Sequence, residues 1–101
     1  MAFESLSAGY YVGTLDVVPY SGAWTVARPE ALAPVGDAGV AWCQQRYLRV
    51  RGDPSLPDRT LAVPQGLFDR LDMREGTCVV FLAKPAVARL YGAMLDAVVS
   101  N

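Results

Sequence analysis

The chain has 101 residues, with nine basic and ten acidic side chains, no histidine and two cysteines, for a net charge of −1. This length suits one compact domain over residues 1–101, and 52% hydrophobic with 19% charged residues is a globular composition. Because Ser–His and Cys–His catalysis need a histidine base, we expect no enzyme activity and no catalytic residue.

Residues 1–28 predict an N-terminal hairpin. The segment "YYVGTLDVV" (10–18) is typical of a strand, "YSG" (20–22) of a turn, and "AWTVAR" (23–28) of a second strand antiparallel to the first. Its aromatic side chains suit a protein-binding face, although core or edge packing is the alternative. They are Tyr10, Tyr11, Tyr20 and Trp24.

Residues 29–39 contain two prolines and two glycines and predict a loop with at most one helical turn at 29–33. A β-rich half follows at 40–83. Its elements are a strand at 40–51, a turn at 52–58, a strand at 60–63, a short helix at 64–71 and an apolar strand at 78–83. Because the last strand is almost wholly apolar, we expect it to be central or covered on both faces.

The C-terminal segment predicts a helix at 85–99. One face of this helix is an apolar stripe, and the opposite face carries mostly small, weakly polar residues. The helix is therefore expected to pair with another copy and form a homodimer or larger oligomer. The predicted interface consists of Leu90, Tyr91, Met94, Leu95 and Val98. The whole pattern predicts an α+β fold: a small β-barrel or curved sheet of about five strands, one short helix and a C-terminal helix, without an internal repeat.

Arginine accounts for eight of the nine cations, and all but Arg28 follow residue 45. Strand alternation places Tyr47, Arg49 and Arg51 on one face, and we expect Arg59 to approach Arg51 across the next turn. Arginines beside a tyrosine suit phosphate contact and base stacking, which makes these four residues a candidate DNA-binding set. The alternative is an exposed strand face paired with Asp53 and Asp58.

The cysteines, Cys43 and Cys78, lie in apolar segments as small buried side chains. Their spacing forms no metal motif and does not decide between free thiols and a disulfide. We expect no metal and no cofactor. No signal peptide and no run of 18 apolar residues is visible, which favours a cytoplasmic protein.

The stretch "RTLAVPQGLFDRLDMREGTCVVFLA" (59–83), with the strand from Tyr47 before it, resembles the SpoVT/AbrB-like swapped-hairpin family. The resemblance is a strand ending in proline, a short helix with an apolar stripe, a glycine and another strand. It implies a barrel interleaved from two chains, with DNA contacts from Arg49, Arg51 and Arg59. The segment "FESLSAGYYVGTLDVVPYSG" (3–22), with the later "TLAVP" and "LAK", separately resembles a small uncharacterised haloarchaeal domain family, which has no assigned activity and implies only an archaeal or archaeal-virus setting.

Three classes of function are compatible with these patterns. The favoured one is a non-enzymatic interaction or assembly module, either a homo-oligomer or a subunit of a larger complex. The second is a DNA-binding transcriptional regulator that uses the arginines of a β-hairpin, and the third is an enzyme or small-ligand binder. The expected partners are therefore a second copy or another protein, with DNA as the alternative and no membrane.

Overall fold

The computed structural model describes residues 3–6, 9–36 and 38–90 of the chain. They form strands β1 (Glu4–Ser5), β2 (Tyr10–Tyr20), β3 (Val26–Ala27), β4 (Ala38–Cys43), β5 (Arg46–Gly52), β6 (Thr60–Pro64) and β7 (Gly76–Ala83). The helices are α1 (Pro29–Leu32), α2 (Gln65–Arg70) and α3, which includes residues 85–90.

Six of these strands close into a small barrel in the order β2-β6-β3-β5-β4-β7. Closure comes from the long antiparallel pairing of β7 with β2, which runs from Tyr10 opposite Ala83 to Val17 opposite Gly76. The β2–β6 and β3–β5 pairs are parallel, and the other neighbours are antiparallel. Strand β1 pairs with β2 outside the barrel. The chain is therefore mostly β, and its barrel closes within a single copy.

The buried core is mostly aliphatic, and it also includes Phe3, Phe68 and Met73. Alternation along β5 buries Leu48 and Val50 and exposes Arg49 and Arg51, as a strand with one face inward requires. Strand β6 is buried throughout its first four residues, because α2 packs against it. The largest fully buried side chains are Leu32, Leu61, Leu82, Val17, Val50, Val63, Val80 and Cys43.

The barrel consists of two halves with the same order of elements: strand, strand, short helix, strand. In the first half these are β2, β3, α1 and β4, and in the second they are β5, β6, α2 and β7. Exchanging the halves leaves the set of strand neighbours unchanged. The sequences at 25–32 (TVARPEAL) and 60–67 (TLAVPQGL) share Thr, Ala, Pro and Leu at the same spacing. The expectation of no internal repeat is therefore wrong. The repeat is hard to recognise in the sequence, because the residues that the two halves share are few and confined to one strand–helix step.

The predicted N-terminal hairpin at 1–28 does not form, since β2 and β3 are not paired within the described residues. Strand β2 already has β7 on one side and β1 with β6 on the other. The bends at 21–24 instead carry the chain to β3, which pairs with β5 and β6. Only Val26 and Ala27 of the predicted strand 23–28 are in β conformation.

The predicted strand at 40–51 is two strands, β4 and β5, joined by a two-residue turn. Gln44 and Gln45 have φ angles of 51° and 65°, the left-handed conformation that such a turn requires at both positions. Glutamine gives no sequence signal for this turn, which favours Asn and Gly. This missed turn explains why the barrel has one strand more than the five expected.

The helices agree better with the sequence. Helix α1 matches the single turn expected at 29–33, and α2 lies within the predicted 64–71, with Pro64 as its extended N-cap. Residues 85–90 are helical, within the predicted 85–99. Four predicted interface residues lie outside the described residues: Tyr91, Met94, Leu95 and Val98.

Candidate interaction surface

Four aromatic side chains from four different strands meet on the outer face of the barrel. We call Tyr10, Trp42, Tyr47 and Phe81 the aromatic patch. Trp42 stands opposite both Phe81 on β7 and Tyr47 on β5 in the strand register. Its ring centroid lies 4.5 Å from that of Tyr47, and the rings of Tyr10 and Phe81 meet edge-to-face at 6.4 Å.

A hydrogen bond joins the two ends of the aromatic patch. The hydroxyls of Tyr10 and Tyr47 are 3.0 Å apart, so the Tyr10 side chain reaches across the outer face above β7 and β4. The patch is held by ring contacts and one polar contact, and all four side chains remain partly exposed. Val79 lies on the same face of β7, two residues before Phe81, and is 55% exposed. The expectation for this strand is that it is central or covered on both faces, and it is central, since β7 pairs with β2 on one side and β4 on the other. Its outer face is open, because a barrel strand buries only one face.

The outer face of β5 continues from the aromatic patch into an arginine region. Tyr47, Arg49 and Arg51 point outward, as alternation predicts. The Arg51 guanidinium lies 3.6 Å from the centroid of the Trp24 ring, and the indole is 54% exposed. Stacking of this kind holds the guanidinium flat while its N–H groups stay available for hydrogen bonds. We call this pair the Arg51–Trp24 stack.

Arg59 does not join this group. Strand β3 lies between β5 and β6, so the two strands that were expected to form a hairpin are not neighbours. Arg59 instead precedes β6 with φ of 59°, and its carbonyl accepts a hydrogen bond from the Asp16 amide on β2. The predicted DNA-binding set therefore has three members on one face and a fourth elsewhere on the barrel.

The four N-terminal aromatics also divide into separate places. Tyr10 belongs to the aromatic patch, whereas Tyr11 packs on the core and faces the ammonium of Lys84 at 4.9 Å. Tyr20 donates its hydroxyl hydrogen to the Trp24 carbonyl, next to the Arg51–Trp24 stack. Sequence reasoning missed Trp42 and Phe81, because glutamine gives no signal for the turn that places Trp42 opposite Tyr47, and Phe81 joins the patch through the pairing of β7 with β4 and β2.

Strands β4, β5 and β7 beneath this surface carry positive charge only, whereas β2 carries Asp16, whose carboxylate accepts a hydrogen bond from the Thr77 hydroxyl on β7. The segments 38–52 and 76–83, which contain β4, β5 and β7, hold Arg46, Arg49 and Arg51 and no Asp or Glu. The ion pairs among the described residues involve a different arginine, Arg28, with Glu30 and Asp58. The surface is thus locally basic on a chain whose net charge is −1.

Arg28 has a structural role that the sequence did not reveal. Its Nε lies 2.6 Å from Glu30, and its Nη1 donates to the carbonyls of Leu56 and Pro54 at 2.8 and 3.4 Å. The hydrogen bond from Arg28 holds the pKa of Glu30 below its usual value, and the same contact raises the pKa of Arg28. Arg28 therefore fastens the proline-rich turn at 52–58 to the start of α1.

Cys43 and Cys78 are free thiols. Cys43 is fully buried, and burial together with the nearby Cys78 raises the pKa of Cys43 to about 12. The Gln44 side chain donates to the Cys78 sulfur at 3.1 Å and to the Arg74 carbonyl at 2.7 Å, and it accepts from the Arg74 amide at 2.7 Å. The buried thiol fits the expectation of a small core side chain.

Two open clefts of about 320 and 250 Å³ lie on either side of Arg59 and Leu15. The smaller is lined by Arg28, Glu30 and Asp58, and Arg28 already pairs with both carboxylates.

Lys84 donates to the Ser5 hydroxyl at 2.7 Å and thereby ties β1 to the end of β7. Within residues 3–6, 9–36 and 38–90, no group of three or more metal-ligating side chains is gathered.

No helix in the described part of the chain is long and apolar enough to cross a membrane. No protein-family model, curated protein or solved structure matches the chain. The aromatic patch and the arginines beside it form the candidate binding surface of the described part of the chain.

Proposed function

We propose that this chain is a non-enzymatic interaction module that assembles as a homo-oligomer or as a subunit of a larger complex, with the aromatic patch at its binding surface. The observation that supports it is the position of Tyr10, Trp42, Tyr47 and Phe81 on the outside of a barrel whose buried core is mostly aliphatic. Aromatic residues are enriched at protein interfaces because their large rings bury much apolar area with few rotatable bonds.

Two exposed aliphatic side chains support the same proposal. Val79 extends the apolar surface beside Phe81, and Leu90 on α3 is 64% exposed. Val79 enlarges a cluster of apolar groups, and such clusters mark binding surfaces more often than single exposed side chains do. Because Val79 and Leu90 make little contact with the core, replacing them tests association with little effect on folding.

Sedimentation velocity over a wide concentration range tests the homo-oligomer. We expect the native chain to sediment as a dimer or larger species, and Val79→Asp and Leu90→Asp to shift it toward the monomer. Gly66→Asp is the matched control, since Gly66 is exposed on α2, an added side chain there meets no neighbouring atom, and α2 follows the end of β6 that pairs with Tyr20, at the opposite end of β2 from Tyr10. A native chain that is monomeric at every concentration would contradict self-assembly.

The hetero-complex is tested by purifying a tagged chain from its own cells, beside tagged Val79→Asp and Gly66→Asp. A specific partner should be retained by the native chain and by Gly66→Asp and lost from Val79→Asp. A partner that is retained equally by all three chains would show that it binds elsewhere.

A second candidate is DNA binding through a β-hairpin, and the observation that favours it is the shared outer face of Tyr47, Arg49 and Arg51. Its affinity for duplex DNA should fall steeply with salt, because phosphate contacts release counterions. Arg49→Ala with Arg51→Ala should then abolish binding, with far-UV circular dichroism unchanged. No binding to duplex at low salt would exclude this candidate.

A further inference from the structure

The further inference concerns the chemistry of the partner and rests on the proposed function. The β4–β5 hairpin carries three arginines and no carboxylate between residues 38 and 52. Arg46 lies at the hairpin tip, exposed, where its guanidinium donates to the carbonyl of the neighbouring Gln45 at 3.3 Å. Neither Arg46 nor Arg51 has a carboxylate partner in the described part of the chain.

Arg51 is already arranged to receive an anion. Its guanidinium is stacked on Trp24, so part of the conformational entropy that binding would cost is lost beforehand. The Arg51–Trp24 stack presents hydrogen-bond donors beside an exposed apolar ring. This combination favours a carboxylate with an apolar neighbour over a fully hydrated ion.

The anion-binding groups and the aromatic patch lie at a fixed separation. Tyr47 and Arg51 are four residues apart on one face of β5, which is about 13 Å at the rise of a strand. Arg46 precedes Tyr47 at the hairpin tip and stands opposite Cys43 in the register, so its long side chain starts from the other face of β5. A partner that places an apolar side chain on the aromatic patch therefore meets Arg51 along β5, and Arg46 reaches the partner from the tip of the hairpin.

The charge of the rest of the chain favours a protein segment over a nucleic acid as the partner of this face. The net charge is −1, and a strongly basic footprint, which is usual for nucleic-acid binding, is absent from this composition. A nucleic acid carries a phosphate at every step and is repelled by the acidic remainder, whereas a short acidic segment needs only the local arginines.

We propose that the basic and aromatic outer face of β4, β5 and β7 binds a protein segment in which aromatic or aliphatic anchors are flanked by Asp or Glu. The anchors contact Trp42 and Tyr47, and the carboxylates pair with Arg46 and Arg51. Such recognition uses a few desolvated apolar anchors for affinity and charge complementarity for specificity.

A phage-displayed library of random dodecapeptides, panned on the full-length chain, tests this proposal. We expect enriched peptides to combine acidic residues with aromatic or aliphatic ones. The enriched peptides are then synthesised with fluorescein and their affinities are measured by anisotropy. Arg46→Gln with Arg51→Gln should weaken binding about five- to tenfold, as two solvent-exposed charge pairs predict, and added salt should weaken it further.

The matched control is Arg70→Gln with Arg74→Gln, which changes the net charge by the same amount at two exposed arginines outside the basic face. This control should bind as the native chain does. Enrichment of peptides without acidic residues, no enrichment at all, or equal affinity for both double variants would overturn the inference. A fluorescein-labelled oligodeoxythymidine that binds more tightly than the peptides and displaces them would assign the face to nucleic acid instead.

Val79→Asp separates this inference from the proposed function. Peptides that bind the Arg46 and Arg51 variant normally but fail to bind Val79→Asp would leave the aromatic patch as a binding surface and remove only the acidic partner. Peptides that bind both variants as they bind the native chain would contradict the binding surface itself.

Discussion

The two halves of the barrel have the same order of elements but differ in the lengths of those elements and in the roles of equivalent residues. In the first half, β3 has two residues and α1 four, whereas β6 has five and α2 six. At the position before the shared proline, the first half has Arg28 and the second has Val63. Arg28 fastens a surface turn, while Val63 is fully buried.

This difference shows which features the architecture requires and which it leaves open. Both halves have a threonine at the start of their second strand, Thr25 before β3 and Thr60 in β6, and an alanine two residues later, Ala27 and Ala62. These four side chains are buried. The outward-facing residues differ between the two halves, and the arginines of the basic face occur on β5 and not on the equivalent strand β2. A comparison of equivalent positions can therefore separate folding from binding.

The largest effect is expected at the equivalent core positions Leu61 and Val26. Leu61 is fully buried between β2 and β3, and Leu61→Ala should lower the free energy of unfolding by about 3–4 kcal/mol. Val26→Ala removes less volume from a shorter strand and should cost about 2 kcal/mol. Urea denaturation followed by tryptophan fluorescence measures both, and equal losses would show that the halves contribute equally to the core.

Cys43 of the first half should make stability depend on alkaline pH. Its pKa is raised from 9.0 to about 12 by burial and by Cys78, so the folded chain favours the neutral thiol. This stabilisation is fully present below about pH 9 and is lost as the pH rises toward 12.

Urea denaturation across that range should show a steeper loss of stability for the native chain than for Cys43→Ala. The variant is the necessary comparison, because other groups titrate in the same range. Parallel curves for the two chains would contradict a buried, protonated Cys43.

Gln44, at the junction of the halves, should have a smaller effect. Gln44→Gly keeps the left-handed turn but removes both hydrogen bonds to the Arg74 backbone, so we expect a loss of about 1–2 kcal/mol. Gln45→Gly changes only the backbone preference in the same turn and should raise stability by about 0.5–1 kcal/mol. Thermal unfolding of both variants tests this, and shifts of the same sign would be the contrary result.

The smallest effect is expected at Arg28. Arg28→Ala should raise the pKa of Glu30 toward its ordinary value, because the hydrogen bond that lowers it is gone. Glu30 stabilises the native chain above its unfolded-state pKa, and this contribution is lost as the pH falls through the lowered folded-state pKa. Carboxyl-detected NMR titration measures the shift, and a pKa of Glu30 that is unchanged in the variant would contradict the hydrogen bond from Arg28 as its cause.

The local pattern of the second half could be predicted, because periodicity and proline placement act within a few residues. The alternation of β5, the apolar β6, and α2 after Pro64 all follow from that spacing. The first half was harder to predict because β3 is only two residues long and owes its conformation to β5 and β6. The Gln44–Gln45 turn was missed because its conformation is imposed by the pairing of β4 with β5 and not by the turn residues.

The sequence by itself determined the mostly apolar composition, the outward alternation of Tyr47, Arg49 and Arg51, and the basic character of the second half. These properties depend on residue type and on a two-residue period. Tertiary structure alone decided that β2 closes onto β7, that β3 separates Arg59 from Arg51, and that Trp42 and Phe81 join Tyr10 and Tyr47. The reason is that strand order joins segments far apart in the chain, and no local preference specifies which strand becomes the neighbour of another.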